Sequence, residues 1–339
     1  MKIAIVGECF GEEEERYGKP FIGKAGEALN AMLSDAGINR SDCFITNVFN
    51  LRPANNNLEE LCTDKKNPNA VGSYSSLTKG KYLRREFLPE LDRLYSELDK
   101  LRPNLVILLG NTASWAILGT TGISKIRGTC CWSKYGPKLK CLLTYHPTAV
   151  LRAYDLRHIA VIDLMKARRE AESPELIRPN RELWLDPSLE DMERFYETYI
   201  KNSSYCAFDV ETAFQQITCI GFAPSIDRGI IIPFLDYRYP KGHYWKTLEE
   251  EIKAWDWVRK ALSAKTRYVA QNGLYDVQYL WNQYGIPARV DEDTMLLHHS
   301  LQPESLKSLA FLGSVYSNEI AWKPERPNSK HSEKPGDEE

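Results

Sequence analysis

The sequence has 339 residues, of which 43% are hydrophobic and 27% charged, and its formal net charge is −2. This length exceeds one ordinary domain and predicts two, each able to bury its own core. The sequence lacks an apolar run of about 18 residues and opens on a strand-like stretch, so it predicts a cytoplasmic protein without a membrane span or signal peptide.

The charge is distributed unevenly between the two halves. Residues 1–170 carry 25 Lys and Arg against 19 Asp and Glu, whereas residues 171–339 carry 19 against 27. Within residues 101–170 the count is 11 against 3. This local excess predicts a surface that follows DNA phosphates, with a solvated basic face as the alternative interpretation.

Strand-like and helix-like stretches alternate in the first half, which predicts a parallel sheet covered by helices on both faces. A polar stretch at 52–80 is typical of a surface loop, and its place near the crevice would allow contact with DNA. The predicted elements are strands at 2–6, 43–48, 104–109 and 139–144, an active loop at 7–24, and helices at 25–36, 82–100, 111–118 and 156–171.

The loop after the first strand has the character of an active-site wall. Gly7 interrupts the strand where the carboxyl ends of parallel strands open onto a crevice. The loop has no Gly-x-Gly-x-x-Gly phosphate cradle, and the four glutamates at 12–15 would repel a pyrophosphate. Carboxylates beside Pro20 and Phe21 suit a flat, neutral ligand better.

Three motifs follow one another along the first half of the chain. The second is Ile45-Thr-Asn-Val48 and the third is His146-Pro-Thr-Ala-Val-Leu-Arg152. The first consists of Gly7, Glu8, Gly11, Glu14, Gly18, Pro20, Phe21, Gly23, Ala25 and Gly26. In this order the motifs resemble the uracil-DNA glycosylase superfamily, most closely its family-4 branch. The resemblance implies a three-layer α/β/α parallel-sheet domain over residues 1–172.

The resemblance implies how a flipped base would be recognised. Phe21 would stack on the base, and the Asn47 amide would match O4 and N3–H of uracil while mismatching the amino group of cytosine. His146 would donate a hydrogen bond to O2 as charge builds on the departing base. Taken without their motifs, Asn47 could be a strand-end turn former and Phe21 a core aromatic.

The remaining implied site residues are two glutamates and an arginine. Glu8 and Glu14 would position water or stabilise the cationic sugar, and Arg152 would bind substrate. Phe10 departs from the family, which usually has proline there, so uracil specificity is a weaker expectation than family membership.

Eight cysteines, at 9, 43, 62, 130, 131, 141, 206 and 219, include no Cys-x-x-Cys pair, which predicts reduced structural thiols. Family-4 glycosylases carry a four-cysteine iron–sulfur cluster. Here Leu51 stands where one ligand is expected, the chain starts too late for the N-terminal pair, and Cys62 alone would remain. We therefore expect no iron–sulfur cluster and no metal in the glycosylase-like domain.

Proline and charge around 171–180 predict a linker at 173–190. Beyond it, Asp209 and Glu211 lie two residues apart on a predicted strand, so both carboxylates project from one face. Further strands are predicted at 216–223, 229–234 and 267–270, with helices at 246–263 and from Gln271-Asn-Gly-Leu-Tyr-Asp276 onward.

This second half, residues 191–322, resembles the DEDD-type 3′–5′ exonuclease domain of family A DNA polymerases, which has a ribonuclease H-like fold. The resemblance implies Mg²⁺ or Mn²⁺ held by Asp209, Glu211 and Asp276, with Asn272 orienting the site or the terminal nucleotide.

The fourth carboxylate of that family is not found in its expected motif. Tyr316 has Ile320 four residues later, and His331 has Asp337 six residues later, one position out of register. Residues 323–339 have a disordered composition. The sequence therefore predicts an exonuclease domain that is incomplete by itself.

Three further residues have a structural interpretation. The adjacent His298 and His299 would point about 100° apart on a helix, which disfavours a shared metal ion. Asp293 is more typical of a helix start than of a catalytic site.

Taken together, the sequence predicts a two-domain DNA-processing hydrolase that resembles the N-terminal part of phage-type family A polymerases. DNA is the expected partner, with a downstream polymerase polypeptide as a second and the host cytoplasm as the location. The alternative is a non-catalytic DNA-binding or polymerase-docking module in which both sites are degenerate.

Overall fold

The structure is a computed structural model that describes residues 2–239 and 242–319, and these fold as two compact units. The first unit contains residues 2–177 together with 313–319, and the second contains residues 178–312. The predicted tail at 323–339, with His331 and Asp337, lies outside the described residues. No helix in the described ranges is both long and apolar enough to cross a membrane.

The first unit is built on a five-stranded sheet. Its elements are β1 (Ile3–Cys9), α1 (Glu12–Tyr17), α2 (Lys24–Asp35), β2 (Cys43–Phe49), β3 (Cys62–Thr63), β4 (Tyr82–Leu83), α3 (Leu88–Leu101), β5 (Leu105–Leu109), α4 (Gly110–Leu118), α5 (Ile123–Ile126), β6 (Cys130–Trp132), β7 (Lys140–Thr144), α6 (Pro147–Arg152) and α7 (Leu156–Glu170). The strand order is β2-β1-β5-β7-β6, in which only the edge strand β6 is antiparallel to its neighbour.

Two hydrophobic cores lie on opposite faces of this sheet. Alternate residues of a strand point to opposite faces. Accordingly, Val106 and Leu108 of β5 pack into one core, and Leu105, Ile107 and Leu109 into the other. The three-layer α/β/α arrangement predicted for the first half is therefore confirmed.

Local predictions in the first half needed four corrections. Strand β1 continues to Cys9, so Gly7 does not interrupt it as the sequence predicted. The predicted loop 7–24 contains helix α1, which begins after Gly11 and ends at Gly18, so the four glutamates at 12–15 lie in its first turn. The helix predicted at 82–100 begins only at Leu88, because residues 82–83 pair with 62–63 as strands. The stretch 52–80 is not simply a surface loop, since it buries Leu61, Cys62, Val71 and Leu77 in the core.

A buried charge cluster ties residues 313–319 to the first unit. The Arg127 guanidinium pairs with the Asp163 carboxylate, and both side chains are at most 4% exposed. Arg127 Nη1 also donates to Ser314 Oγ at 2.8 Å. The Lys166 ammonium, 3% exposed, donates to the carbonyls of Gly128, Ser314 and Ser317.

The second unit contains a six-stranded sheet of order β13-β12-β9-β10-β11-β8. Its elements are β8 (Glu182–Trp184), α8 (Leu189–Phe195), β9 (Tyr205–Ala213), β10 (Gln216–Ser225), β11 (Arg228–Pro233), α9 (Leu248–Leu262), β12 (Arg267–Ala270), α10 (Leu274–Tyr284), β13 (Glu292–Asp293), α11 (Thr294–Leu301) and α12 (Leu309–Tyr316), the last of which runs past residue 312.

Three antiparallel strands, β9 to β11, are joined on the other side of β9 by the parallel strands β12 and β13. This order is the ribonuclease H-like topology expected for the second half. Strand β8, inside the predicted linker 173–190, extends the sheet by pairing with β11. Linker and domain limits remain predictions.

Candidate active site

A cavity of about 300 Å³ opens at the carboxyl ends of β1 and β2 in the first unit. The structure brings together all six site residues that the sequence predicted for this unit. They are Glu8, Glu14, Phe21, Asn47, His146 and Arg152.

Phe21 forms one wall of the cavity and is only 5% exposed. Its backbone has a φ of +55°, and its carbonyl accepts a hydrogen bond from Arg40 Nη2 at 2.9 Å. Gly26 in helix α2 permits this conformation, since a Cβ there would come within 1.9 Å of the Phe21 carbonyl oxygen. The ring centroids of Phe21 and His146 lie 5.6 Å apart.

Asn47 lies near the end of β2 and is 2% exposed. Its side-chain oxygen Oδ1 is buried and has no hydrogen-bond partner within the described part of the chain. A buried acceptor without a partner is costly, and in native structures it calls for an explanation such as a bound ligand. Oδ1 is therefore available to accept a hydrogen bond from a ligand donor in the cavity.

His146 caps the short helix α6, with its Nδ1 accepting a hydrogen bond from the Thr148 N–H at 3.2 Å. When Nδ1 accepts in the neutral imidazole, Nε2 carries the proton and can donate. Burial lowers the pKa of His146 from its ordinary value of 6.5; Glu8 opposes this shift and Arg152 adds to it. His146 is thus a neutral donor at physiological pH.

The two predicted glutamates differ in their surroundings. Glu14, 8% exposed, accepts backbone hydrogen bonds from Gly11, Ile22 and Gly23 at 3.1 to 3.2 Å. Its carboxylate therefore closes the loop that carries Phe21. Glu8 accepts a hydrogen bond from the hydroxyl of Thr112 at the start of α4.

Several residues at or beside the cavity were not assigned a role from the sequence. Thr112 lies outside the cavity lining but orients Glu8, and no sequence signal distinguished it from the polar Asn111 and Ser114 of the same helix. Asn56, from the 52–80 stretch, lines the cavity while its Oδ1 accepts from Arg52 Nε at 2.8 Å. Cys9 also lines the cavity, and burial raises the pKa of its thiol to about 12, so it is an unreactive thiol.

In the second unit, the predicted metal ligands lie on β9 and α10. Asp209 and Glu211 are exposed on one face of β9 as predicted, and Asp276 is 3% exposed. The Asp276 carboxylate accepts a hydrogen bond from the Val210 N–H at 2.8 Å, which ties α10 to β9. Burial raises the pKa of Asp276 to about 6. The pKa of Asp209 is raised by partial desolvation on the strand, although its side chain reaches solvent, and by the charge of Glu211.

Carboxylate oxygens are suitable ligands for Mg²⁺ or Mn²⁺. The arrangement of Asp209, Glu211 and Asp276 does not form a complete metal site, however. No three His, Cys, Asp or Glu side chains in residues 2–239 and 242–319 are grouped to hold a metal ion. The predicted ligand set Asp209, Glu211 and Asp276 is therefore not assembled in this structure.

The neighbouring residues have structural contacts. Asp293 caps α11, as predicted, by accepting from the Met295 and Leu296 N–H groups, and it also accepts from Asn272 and Gly273. Asn272, predicted to orient the site, is exposed, with a φ of +56°.

The two adjacent histidines also separate as expected. His298 is 2% exposed and contacts the Phe311 ring, whereas His299 is exposed. Their different surroundings agree with a structural role.

The fold and cavity of the first unit define an α/β protein with a polar site at the carboxyl edge of its sheet. A model of the uracil DNA glycosylase superfamily matches residues 1–169. The type-4 uracil-DNA glycosylase of Archaeoglobus fulgidus is 34% identical over 171 residues, covering 49% of this chain and 74% of the relative. That of Pyrobaculum aerophilum is 33% identical over 163 residues, covering 46% and 71%. The chain belongs to the uracil DNA glycosylase superfamily.

Solved structures similar to this chain include the Aedes aegypti Nibbler EXO domain, with 13% identity and a TM-score of 0.33, covering 48% of this chain and 80% of that one. Escherichia coli RNase D has 15% identity and a TM-score of 0.32, covering 44% and 36%. Both TM-scores are low, so we assign the fold of the second unit from its strand order.

Proposed function

We propose that the first unit excises uracil from DNA. As a member of its superfamily, the protein is a hydrolase acting on DNA. The observation that carries the uracil assignment is the buried, unpartnered Oδ1 of Asn47 beside the ring of Phe21. A flipped base would stack on the ring while its edge meets an amide oxygen that lacks a hydrogen bond.

The Asn47 amide supports a choice of uracil over cytosine. Oδ1 would accept from N3–H of uracil, and Nδ2 would donate to O4. Cytosine offers an acceptor at N3 and a donor at its amino group, so both bonds would be lost and the buried amide left unpaired.

Two residues support cleavage of the glycosidic bond. His146 Nε2–H would donate to O2 of uracil as negative charge develops on the leaving base, which lowers the barrier for departure. The Glu8 carboxylate, held by Thr112, would stabilise the cationic sugar or orient the attacking water. Glu14 would contribute by closing the Phe21 loop, and exposed Arg152 at the cavity rim would bind a DNA phosphate.

The test is to incubate the full chain with a uracil-containing oligonucleotide in EDTA and then cleave abasic sites with alkali. EDTA prevents metal-dependent strand degradation, so cleavage reports base removal alone. We expect cleavage only at uracil and its loss in His146→Ala. If the wild type cleaves no more than His146→Ala does, the result contradicts the proposal. It would then favour a DNA-binding or polymerase-docking module.

We further propose that the second unit is a 3′–5′ exonuclease domain with a proofreading role, related to those of phage family A DNA polymerases. The carboxylates of Asp209, Glu211 and Asp276 are not grouped in this structure, and they would have to come together to bind Mg²⁺ or Mn²⁺. Burial raises the pKa of Asp276 to about 6 and the charge of Asp209 adds to this shift, which supports the proposal because such a carboxylate favours a nearby cation or a proton. A DNA polymerase polypeptide in the host cytoplasm is the proposed partner.

Calorimetric titration of the full chain with Mn²⁺ tests this second proposal. We expect binding that Asp209→Ala abolishes, together with weak degradation of a 3′ single strand. Absence of Asp209-dependent binding would contradict the proposed metal site. Rapid, Asp209-dependent degradation would instead contradict the weak activity that we expect of this chain alone.

A further inference from the structure

The strand that carries Asn47 lies at an edge of its sheet. Within residues 2–239 and 242–319, strand β2 pairs with no strand other than β1, so the outer side of its backbone has no strand neighbour there. An edge strand presents unpaired N–H and C=O groups that need other partners when they are covered. At the carboxyl end of β2, charged side chains of helix α3 supply them.

Arg93 of α3 makes most of these contacts. Its Nη2 donates to the backbone carbonyl of Asn47 at 2.9 Å and to that of Val48 at 3.2 Å. Its Nη1 donates to Thr46 Oγ1 at 3.2 Å. The planar guanidinium thus binds three consecutive residues of β2 at once, which a lysine ammonium cannot do with the same geometry.

Two glutamates on the same helix hold Arg93 and also bind the strand. Glu90 pairs with Arg93 Nε at 3.1 Å and accepts from the Asn50 N–H at 2.7 Å. Glu97 pairs with Arg93 Nη1 at 2.9 Å and accepts from Thr46 Oγ1 at 2.9 Å. All three charged side chains are between 24% and 29% exposed, so water screens them only in part.

The Asn47 side chain depends on this backbone support. Its Oδ1 has no hydrogen bond from the described residues, so no such bond fixes the acceptor before a base arrives. The direction of the amide is therefore set by the position of the Asn47 backbone and by packing against neighbours such as Gly7, where an added Cβ would come within 2.2 Å of Oδ1. A shift of the strand end would move the amide away from the edge of the base.

We propose that Arg93 is a positioning residue for base recognition, which sets the place of the Asn47 amide through the backbone of β2. This inference rests on the proposed uracil excision, and it adds a residue that lies outside the cavity. Glu90 and Glu97 complete the unit by fixing the Arg93 guanidinium.

We expect Arg93 to contribute to the rate of uracil excision only through Asn47. A misplacement of about 1 Å can reduce a rate by about 10²-fold. We therefore expect Arg93→Met to lower kcat/KM for uracil excision by about 10²-fold and to weaken inhibition by free uracil. The double variant Arg93→Met/Asn47→Ala should lie within about threefold of Asn47→Ala alone, because residues that act as one unit are non-additive.

The experiment compares excision kinetics and free-uracil inhibition for the full-length wild type, Arg93→Met, Asn47→Ala and the double variant, with far-UV circular dichroism as a check of folding. Arg102→Met is the matched control, since the exposed Arg102 side chain at the end of the same helix bonds to no described residue other than Asp99, through its carboxylate and its backbone carbonyl. Arg93→Lys, which keeps the charge but can reach fewer acceptors, should give an intermediate loss and provides a second test if Arg93→Met unfolds.

Different results would contradict the role of Arg93 and the proposed uracil excision. If the wild type is active and Arg93→Met or Arg93→Lys is as active as Arg102→Met, the inference about Arg93 is overturned. The proposed uracil excision then still stands. Additive losses in the double variant would also overturn it, because Arg93 would then act independently of Asn47. A wild type that excises no uracil would overturn the proposed function, and the inference with it.

Discussion

Gly7 lies directly against the ring of Phe21, so that a Cβ at residue 7 would come within 2.4 Å of Phe21 Cζ and 2.2 Å of Asn47 Oδ1. Both neighbours would have to move to admit a methyl group. We expect Gly7→Ala to lower the rate of uracil excision by about 10²-fold through this displacement. Gly72→Ala, at a site with no atom within 4 Å, is the control. Equal rates in steady-state excision assays would contradict this role of Gly7.

The Thr112 hydroxyl donates to the Glu8 carboxylate across 104 residues of sequence. Replacing Thr112 by valine keeps the shape of the side chain but removes the donor, which leaves Glu8 less well oriented. We expect a loss of about 10-fold or more in single-turnover excision, given the usual contribution of a positioned acid or base. Thr112→Ser should restore most of the rate, and failure of serine to do so would show that packing of the methyl group matters instead.

The pH dependence of excision should follow His146. Burial lowers its pKa below the ordinary 6.5, so the neutral imidazole persists as the pH falls through that value. Protonation at lower pH removes the Nδ1 acceptor that caps α6. We expect a single-turnover rate that stays level through pH 6.5 and then declines. Because Arg152 contributes to the lowering, Arg152→Met should move the decline to higher pH. A decline already centred above 6.5 in the wild type would contradict this.

Lys166 should contribute to the stability of the first unit. Its buried ammonium binds three carbonyls, two of them in residues 313–319. Lys166→Met leaves these acceptors unsatisfied, and we expect a loss of about 1–3 kcal/mol in the free energy of unfolding. Denaturant unfolding of the full chain measures it. The exposed Lys2–Glu172 pair gives the control Lys2→Met, which should change stability by less than about 1 kcal/mol.

Asp276 should oppose folding once it is ionised. Its pKa in the folded state is about 6, above the ordinary 3.8, so the folded protein binds more protons between these values and loses stability as the pH rises through them. We expect Asp276→Asn to be more stable than the wild type in EDTA, with a gain that grows up to about pH 6 and is constant above it. Urea midpoints across this range provide the measurement, with exposed Asp256→Asn as control. A gain independent of pH would mean that ionisation is not its cause.

Much of the fold and of the first site could be predicted from the sequence. Alternating strands and helices predicted the parallel sheet, and three local motifs predicted Glu8, Phe21, Asn47 and His146, which the structure brings to one cavity. The sheet prediction succeeds because apolar periodicity depends on neighbours in the chain, and the motifs marked residues that share a cavity, whose roles stay predictions. The Asp-x-Glu spacing likewise placed Asp209 and Glu211 on one face of β9, but it did not determine whether Asp276 would join them in a metal site.

The tertiary structure alone decided how the site residues are held. Glu14 closes a loop by binding backbone groups up to nine residues away, which its place in a run of glutamates did not indicate. Arg93 and Thr112 reach the site across 46 and 104 residues, respectively. Such contacts depend on how α3 and α4 pack against the sheet. Packing is set by the shapes of side chains distant in sequence, so no local pattern around either residue predicts its partner.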